Sequence, residues 1–166
     1  MHMPTRLPVL SALAVLLALS GCGILGGSRS LTNVEVAGRY EFTRFDIDPA
    51  SGAVRDYRVL GREVRDDLTL RLDEDGSARL ETLRDGRPDE VRARGSYSIS
   101  GRTVRVRFSD NTDDYFLPRE VDFEGGDQRL KAEVFREGLN MERISGDYRG
   151  ITRADATLRI ELREIN

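Results

Sequence analysis

From residue 38 onward the apolar residues recur at every second position. Leu68, Leu70 and Leu72 alternate with Thr69 and Arg71, and Val91, Ala93, Gly95, Tyr97 and Ile99 alternate with Arg92, Arg94, Ser96 and Ser98. Val104, Val106 and Phe108 alternate with Arg105 and Arg107, and Ala156, Leu158, Ile160 and Leu162 with Thr157, Arg159, Glu161 and Arg163. Successive side chains of a strand point to opposite faces, so this is the pattern of strands with one buried and one wet face. No window of comparable length after residue 38 carries a 3.6-residue period. The pattern predicts nine or ten strands, near 38–46, 53–60, 65–73, 77–84, 89–98, 102–109, 114–124, 128–136, 140–149 and 155–164.

Turn residues set the expected register. Asp73-Glu74-Asp75-Gly76-Ser77 fits a three-residue hairpin loop with Gly76 in the left-handed position. That loop places Leu72 opposite Ala78 and Leu70 opposite Leu80. A turn at Ser100-Gly101 places Tyr97 opposite Val104 and Gly95 opposite Val106. A turn at Gly125-Gly126 matches Val121 to Leu130, and on the wet face sets Asp122 against Arg129 and Glu120 against Lys131. All connections are short, so consecutive strands form an antiparallel up-and-down meander, and a meander this long must curl. Closure into a barrel removes the exposed edges, and a two-sheet β-sandwich is the alternative. The fold class is therefore all-β, with no major helix after the N-terminal segment.

The N-terminus has a different character. Arg6 is the only charged side chain before Arg29, and Leu7–Leu19 is apolar except for Pro8 and Ser11. This run is shorter than the ~20 residues a membrane-spanning helix needs and fits the h-region of a secretory signal. It ends in Leu19-Ser20-Gly21-Cys22. These residues resemble the lipobox of bacterial lipoproteins. The resemblance implies a signal peptide at 1–21 and acylation of Cys22, which becomes the new N-terminus and anchors the chain in a bilayer. Gly23 follows the cysteine where an Asp would imply inner-membrane retention. The implied location is thus the cell envelope, with the outer membrane favoured if the source has two membranes. Residues 22–37 read as the lipidated cysteine and a flexible tether, and 38–166 as the barrel domain. A tether of this length reaches only ~20 Å.

Composition narrows the chemistry. The 26 Lys and Arg are outnumbered by 29 Asp and Glu, which argues against a nucleic-acid partner. The implied cleavage would remove His2, the only histidine, and the implied acylation would consume Cys22, the only cysteine. No Ser–His or Cys–His pair remains for nucleophilic catalysis, and soft or borderline metals lack their preferred ligands. No catalytic residue, metal site or cofactor is expected. The acidic clusters Asp73-Glu74-Asp75 and 110–114 are read as turn chemistry rather than calcium sites. Lys131 is the single lysine, so nearly all the basic charge is guanidinium. Arg92, Arg94, Arg105 and Arg107 fall on one wet face, as candidate contacts for anionic head groups or as a plain solvated surface.

Gly38-Arg39-Tyr40, the Asp75-Gly76 hairpin and a meander filling 38–165 together resemble the lipocalin-like, or calycin, barrels of small bacterial lipoproteins. The resemblance implies a lumen lined by Tyr40, Phe42, Leu70, Leu80, Ala93, Tyr97, Val106, Phe108, Phe123 and Leu158. Small residues there would leave room for a small apolar or amphiphilic ligand, whereas Tyr40, Phe42, Tyr97, Phe108 and Phe123 would fill it. Two functions are thus expected: a ligand-binding envelope lipoprotein, or a non-enzymatic structural or assembly lipoprotein acting through protein or glycolipid contacts on its surface.

Overall fold

The structure, a computed structural model, describes residues 29–52, 54–62 and 67–165. Among the described residues, nine strands form one antiparallel sheet: β1 (Gly38–Pro49), β2 (Tyr57–Arg58), β3 (Leu68–Leu72), β4 (Ser77–Arg84), β5 (Arg87–Ser100), β6 (Thr103–Phe108), β7 (Glu120–Gly126), β8 (Arg129–Leu139) and β9 (Ala154–Ile165). The expected meander is present, and pairing of β1 with β9 from Arg39↔Ile165 to Pro49↔Ala156 closes it into a barrel rather than a sandwich. β2 stands outside the ring of eight. It pairs with the later half of β1 at Asp46↔Arg58 and Ile47↔Tyr57, whereas β3 pairs with the first half.

β1 serves both neighbours because it changes phase. Gly38, Tyr40 and Phe42 are buried, the alternation breaks at Thr43, and Phe45, Ile47 and Pro49 are buried next. The cause is a bulge between Phe42 and Arg44 against β9. A bulge inserts one residue and bends the strand. Here it also turns Phe42 and Phe45 onto the same side, where their rings stack with centroids 6.2 Å apart. The close approach of β5 and β6 has another origin. A Cβ on Gly95 would meet the Arg107 carbonyl oxygen at 2.2 Å and the Phe108 Cα at 2.8 Å, so only glycine permits these two strands to approach so closely.

Two hairpins differ in detail from the sequence reading. The β5–β6 turn is Gly101-Arg102, with Gly101 at φ 63, and it pairs Tyr97 with Val106 and Gly95 with Phe108. The β7–β8 turn is Asp127-Gln128, at φ 50 and 60, and it pairs Gly125 with Leu130. The slip at Tyr97 is two residues, so inward residues stay inward, as the period of a strand demands. On the outer face Asp122 pairs with Arg105 and Glu120 with Arg107, rather than with Arg129 and Lys131. The β3–β4 register is as expected, with Leu72↔Ala78 and Leu70↔Leu80.

The strand expected at 140–149 is instead a pair of 3-10 turns, Met141–Arg143 and Gly146–Tyr148. Asn140 and Ser145 cap them with their side chains. The apolar residues that mimicked a strand, Met141, Ile144 and Tyr148, are buried as a lid on one end of the barrel. The strand expected at 53–60 is only Tyr57–Arg58, and the residues ahead of Glu120 hold a 3-10 turn, Asp113–Tyr115.

The segment read as tether is partly built into the fold. Thr32 starts a short helix α1 (Asn33–Val36) with a capping box: its hydroxyl and backbone are bonded to Glu35. Leu31 N–H donates to the Gly101 carbonyl at 2.8 Å, and Asn33 donates to the Glu74 carbonyl at 3.1 Å. The Tyr40 hydroxyl donates to the Val36 carbonyl at 2.8 Å, and the Tyr97 hydroxyl to the Asp73 carbonyl at 2.8 Å. This end, with the β3–β4, β5–β6 and β7–β8 hairpins, is called the near end below. The longer loops make the far end.

Candidate functional site

All the candidate lumen residues are buried: Leu70, Leu80, Ala93, Val106 and Leu158 at 0–1% exposure, and Tyr40, Phe42, Tyr97, Phe108 and Phe123 at 2–8%. Phe45, Ile47, Ala78, Val104, Ala156 and Ile160 join them at 0%. A water-sized hole beside a side chain would leave part of that side chain exposed. Zero exposure therefore means that no such space adjoins these side chains from either side. The small residues Ala78, Ala93 and Ala156 do not leave a hollow, because large neighbours occupy the space beside them. The interior is a packed core.

Open clefts lie around this core. At the far end, one of about 230 Å³ is lined by Asp113, Phe116, Leu117, Arg136 and Arg143, and one of about 430 Å³ by Arg55, Tyr57, Arg62 and Tyr148. In the second, the Tyr57 and Tyr148 rings meet edge to face at 5.5 Å, and Arg62 lies 5.4 Å over Tyr57. The Tyr148 hydroxyl donates to the Arg55 carbonyl at 2.8 Å. At the near end, a cleft of about 470 Å³ is lined by Arg102, Glu124, Gly125, Gly126, Asp127, Arg129 and Lys131. Sequence reading took Gly125-Gly126 for a turn. Their true role is to admit neighbours: a Cβ on Gly125 would sit 2.7 Å from Leu31 Cδ1, and one on Gly126 would sit 2.1 Å from Arg102 Nη2.

The candidate head-group arginines are mostly neutralised within the barrel wall. Arg105 grips Asp122 with two bonds of 2.6 Å and lies 3.4 Å from Glu120. Arg107 also pairs with Glu120, and Arg92 with Glu90 at 2.9 Å. Hydrogen bonds from Arg105 hold the Asp122 carboxyl below the usual carboxylate range. No ion pair is formed by Arg94 among the described residues, but its backbone N–H donates to Asp110 at 2.7 Å. The ladder is a solvated face on which Arg92, Arg105 and Arg107 are paired.

Further unpaired arginines lie elsewhere. Among the described residues, Arg102 and Arg129 at the near end, and Arg136, Arg143 and Arg153 at the far end, have no carboxylate within ion-pair distance. Sequence reading missed them because pairing depends on the register of neighbouring strands. A charge of the opposite kind was also missed. Glu81, on β4, is 3% exposed, and Arg39 donates to it at 2.8 Å.

The acidic clusters are turns, as read. Asp73 accepts from Arg71, Arg79 and Ser77, and Asp75 accepts from the Ser77 N–H. Asn111 caps the Asp113 N–H at 3.1 Å. Burial alone would raise the Asp73 carboxyl, but its arginine bonds outweigh that and hold it low. Among the described residues no group of histidine, cysteine, aspartate or glutamate side chains is arranged to hold a metal ion, and no helix is long and apolar enough to cross a membrane. Cys22 and the signal segment lie outside the described residues. Compared with protein-family models and with curated proteins, the sequence matches none.

Proposed function

We propose that this chain is a lipid-anchored protein of the bacterial cell envelope whose lipocalin-like barrel is a solid, non-enzymatic scaffold acting through its outer surface. The observation that carries this reading is the filled lumen. Phe45, Ile47, Leu80, Ala93, Val106 and Leu158 have no accessible area, and ligand pockets begin at about 300 Å³. Support for the anchor comes from the Leu19-Ser20-Gly21-Cys22 box behind an apolar run, and for outer-membrane sorting from Gly23. The partners in this reading are the bilayer, through acylated Cys22, and envelope protein or glycolipid at the barrel surface.

The test has two arms. Metabolic labelling with a fatty acid, with membrane fractionation, compares wild type with Cys22→Ser. Label on the wild type alone, with the variant uncleaved, is expected, and an unlabelled wild type removes the anchor. In the second arm, membrane-extracted protein is crosslinked and analysed by mass spectrometry alongside its lipid extract. A reproducible envelope partner supports the scaffold reading. A stoichiometric small molecule without a partner replaces it with the ligand-binding reading.

A further inference from the structure

The ladder between β7 and β8 stops before its strands do. Among the described residues it holds only the pairs Gly126↔Arg129, Gly125↔Leu130 and Glu124↔Lys131. Yet β7 reaches back to Glu120 and β8 runs on to Leu139. The flanking ladders also continue, β6–β7 as far as Arg107↔Glu120 and β8–β9 as far as Leu139↔Ala154. The barrel wall is therefore slit between two intact ladders.

The hairpin fixes which backbone groups face the slit. A two-residue turn with both residues at positive φ closes on a hydrogen-bonded pair, here Gly126 and Arg129, and such pairs recur at every second residue. Arg129 and Lys131 thus direct N–H and C=O toward β7, and Glu133 and Phe135 do the same beyond the last pair. Even-numbered positions face β9: the Glu164 N–H donates to the Gln128 carbonyl at 2.8 Å. Glu133 and Phe135 therefore present backbone donors and acceptors that no strand pairs among the described residues.

Two open clefts lie along the slit. One of about 540 Å³ sits at the fork, between Asp122 and Glu124 of β7 and Lys131 and Glu133 of β8. The other, of about 230 Å³, lies further on, between Phe116 and Leu117 ahead of β7 and Arg136 and Leu139 of β8. Val134, inward by the strand period, is only partly buried here.

The side chains of β8 add a pattern. Phe135 is 58% exposed, and Glu133 and Glu137 flank it on the same outer row. Glu137 makes no ion pair among the described residues, and Glu133 meets Arg159 only at 3.6 Å, with 73% of its side chain exposed. Half-buried Arg136, on the inner row, also has no acid partner among the described residues, and beside it Arg143 and Asp113 carry one charge of each sign. The acids of β7 are taken, Glu120 by Arg107 and Asp122 by Arg105. A second uncovered edge differs: β5 from Arg87 to Arg92 lies beyond the β6 pairing and carries Pro88, which cannot donate, among charged residues. Proline and charge are the usual guards of an edge, and an exposed phenylalanine on β8 is the opposite of a guard.

We propose that β8 takes up an additional strand along the slit, an extended segment of a partner protein running antiparallel to it. The segment carries an apolar residue opposite Phe135, basic residues opposite Glu133 and Glu137, and an acid opposite Arg136. Backbone pairing supplies the affinity and alternate side chains select the sequence. This deepens the scaffold reading, on which it rests for the existence of a protein partner.

The probe is a capped heptapeptide, Thr-Lys-Glu-Val-Val-Lys-Thr, added at millimolar concentration to the full chain in detergent, with amide hydrogen exchange followed by NMR. In the free protein the amides of Glu133 and Phe135 are expected to exchange about tenfold or more faster than those of Ala132 and Val134, which face β9. The peptide is expected to slow them several-fold. Its analogue N-methylated at the fourth and sixth residues, which face β8, is expected to have no effect, and exchanging Lys and Glu in the peptide should weaken the protection. Amides at Glu133 and Phe135 that are already as slow as their neighbours would overturn the slit. Equal protection by the N-methylated peptide, or none by either, overturns strand addition. Both failures leave the filled lumen and the scaffold reading standing, whereas a stoichiometric small molecule in the lipid extract removes the scaffold reading without changing these amides.

Discussion

Arg39 and Glu81 form an ion pair that reaches over strand β3, joining two strands that are not neighbours. Nε donates to Oε1 at 2.8 Å, with 23% of the arginine and 5% of the glutamate side chain exposed. Thr69, on the intervening strand and 1% exposed, donates its hydroxyl to the Glu81 carbonyl at 3.2 Å.

Breaking that pair should be felt. Removal of one partner of a buried pair costs about 3–5 kcal/mol, and because Arg39 still reaches water the expected loss for Glu81→Ala is about 2–3 kcal/mol. Glu41→Ala, which breaks the more exposed pair between Glu41 and Arg163, is expected to cost about 1 kcal/mol or less. Urea unfolding of both variants checks the contrast, and equal losses would show that burial does not distinguish the pairs.

Two glycines should respond differently to a methyl group. In Gly95→Ala the new Cβ faces the β6 backbone, which cannot rotate aside, so a loss at or above the ~3 kcal/mol upper range of overpacking is expected. In Gly125→Ala it faces the Leu31 side chain, which can. A loss of about 1–2 kcal/mol is expected there, most of it recovered by adding Leu31→Ala. Thermal unfolding of the single and double variants is the measurement.

High pH should unfold the barrel through its tyrosines. Burial raises the Tyr40 hydroxyl far above its ordinary value, with Glu164 and Tyr97 adding to the effect, and Tyr97, Tyr115 and Tyr148 are also raised chiefly by burial. A raised folded-state value means stability is fully present below the unfolded tyrosine's pKa of about 10 and is lost as pH rises toward the folded value. Tyr40→Phe is expected to cost about 1 kcal/mol at pH 7, for the lost bond to Val36, yet to decline less steeply above pH ~10. Denaturant midpoints from pH 7 to 11 decide it; parallel curves would exclude Tyr40 as the source.

The β7–β8 turn offers a gain. Asp127 and Gln128 both stand at positive φ, 50 and 60, where a side chain costs about 1–2 kcal/mol. Gln128→Gly relieves that strain and gives back part of it as unfolded-chain entropy, so a net gain of up to about 1 kcal/mol is expected by thermal unfolding.

The strand period was legible because it reports one thing, which side of a wall each residue faces. Leu70, Val106 and Leu158 could be assigned inward without knowing the exact turns, since a two-residue slip preserves the face. What failed was chemistry that local pattern does not encode. Met141, Ile144 and Tyr148 are apolar because they cover the barrel end, and a lid of 3-10 turns imitates a strand when spacing alone is read. Gly125 and Gly126 looked like a turn because their real neighbours, Leu31 and Arg102, are distant in sequence. The same holds for the arginines: Arg105 is matched by Asp122 and Arg102 is not, and only the paired register separates them.

The seam between β1 and β9 bears on how the protein comes into being. The ring is sealed by pairs such as Arg39↔Ile165 and Ile47↔Leu158, which join almost the first and last described residues. Contacts that distant impose a heavy loop-closure penalty before they contribute anything, so assembly belongs to the slow, millisecond-to-second class. Until β9 emerges, β1 and β8 each present an unsatisfied edge able to pair with another chain. A nascent copy is thus open to strand exchange for as long as β9 is missing. Damage confined to that strand would undo the whole cylinder rather than fray one side of it.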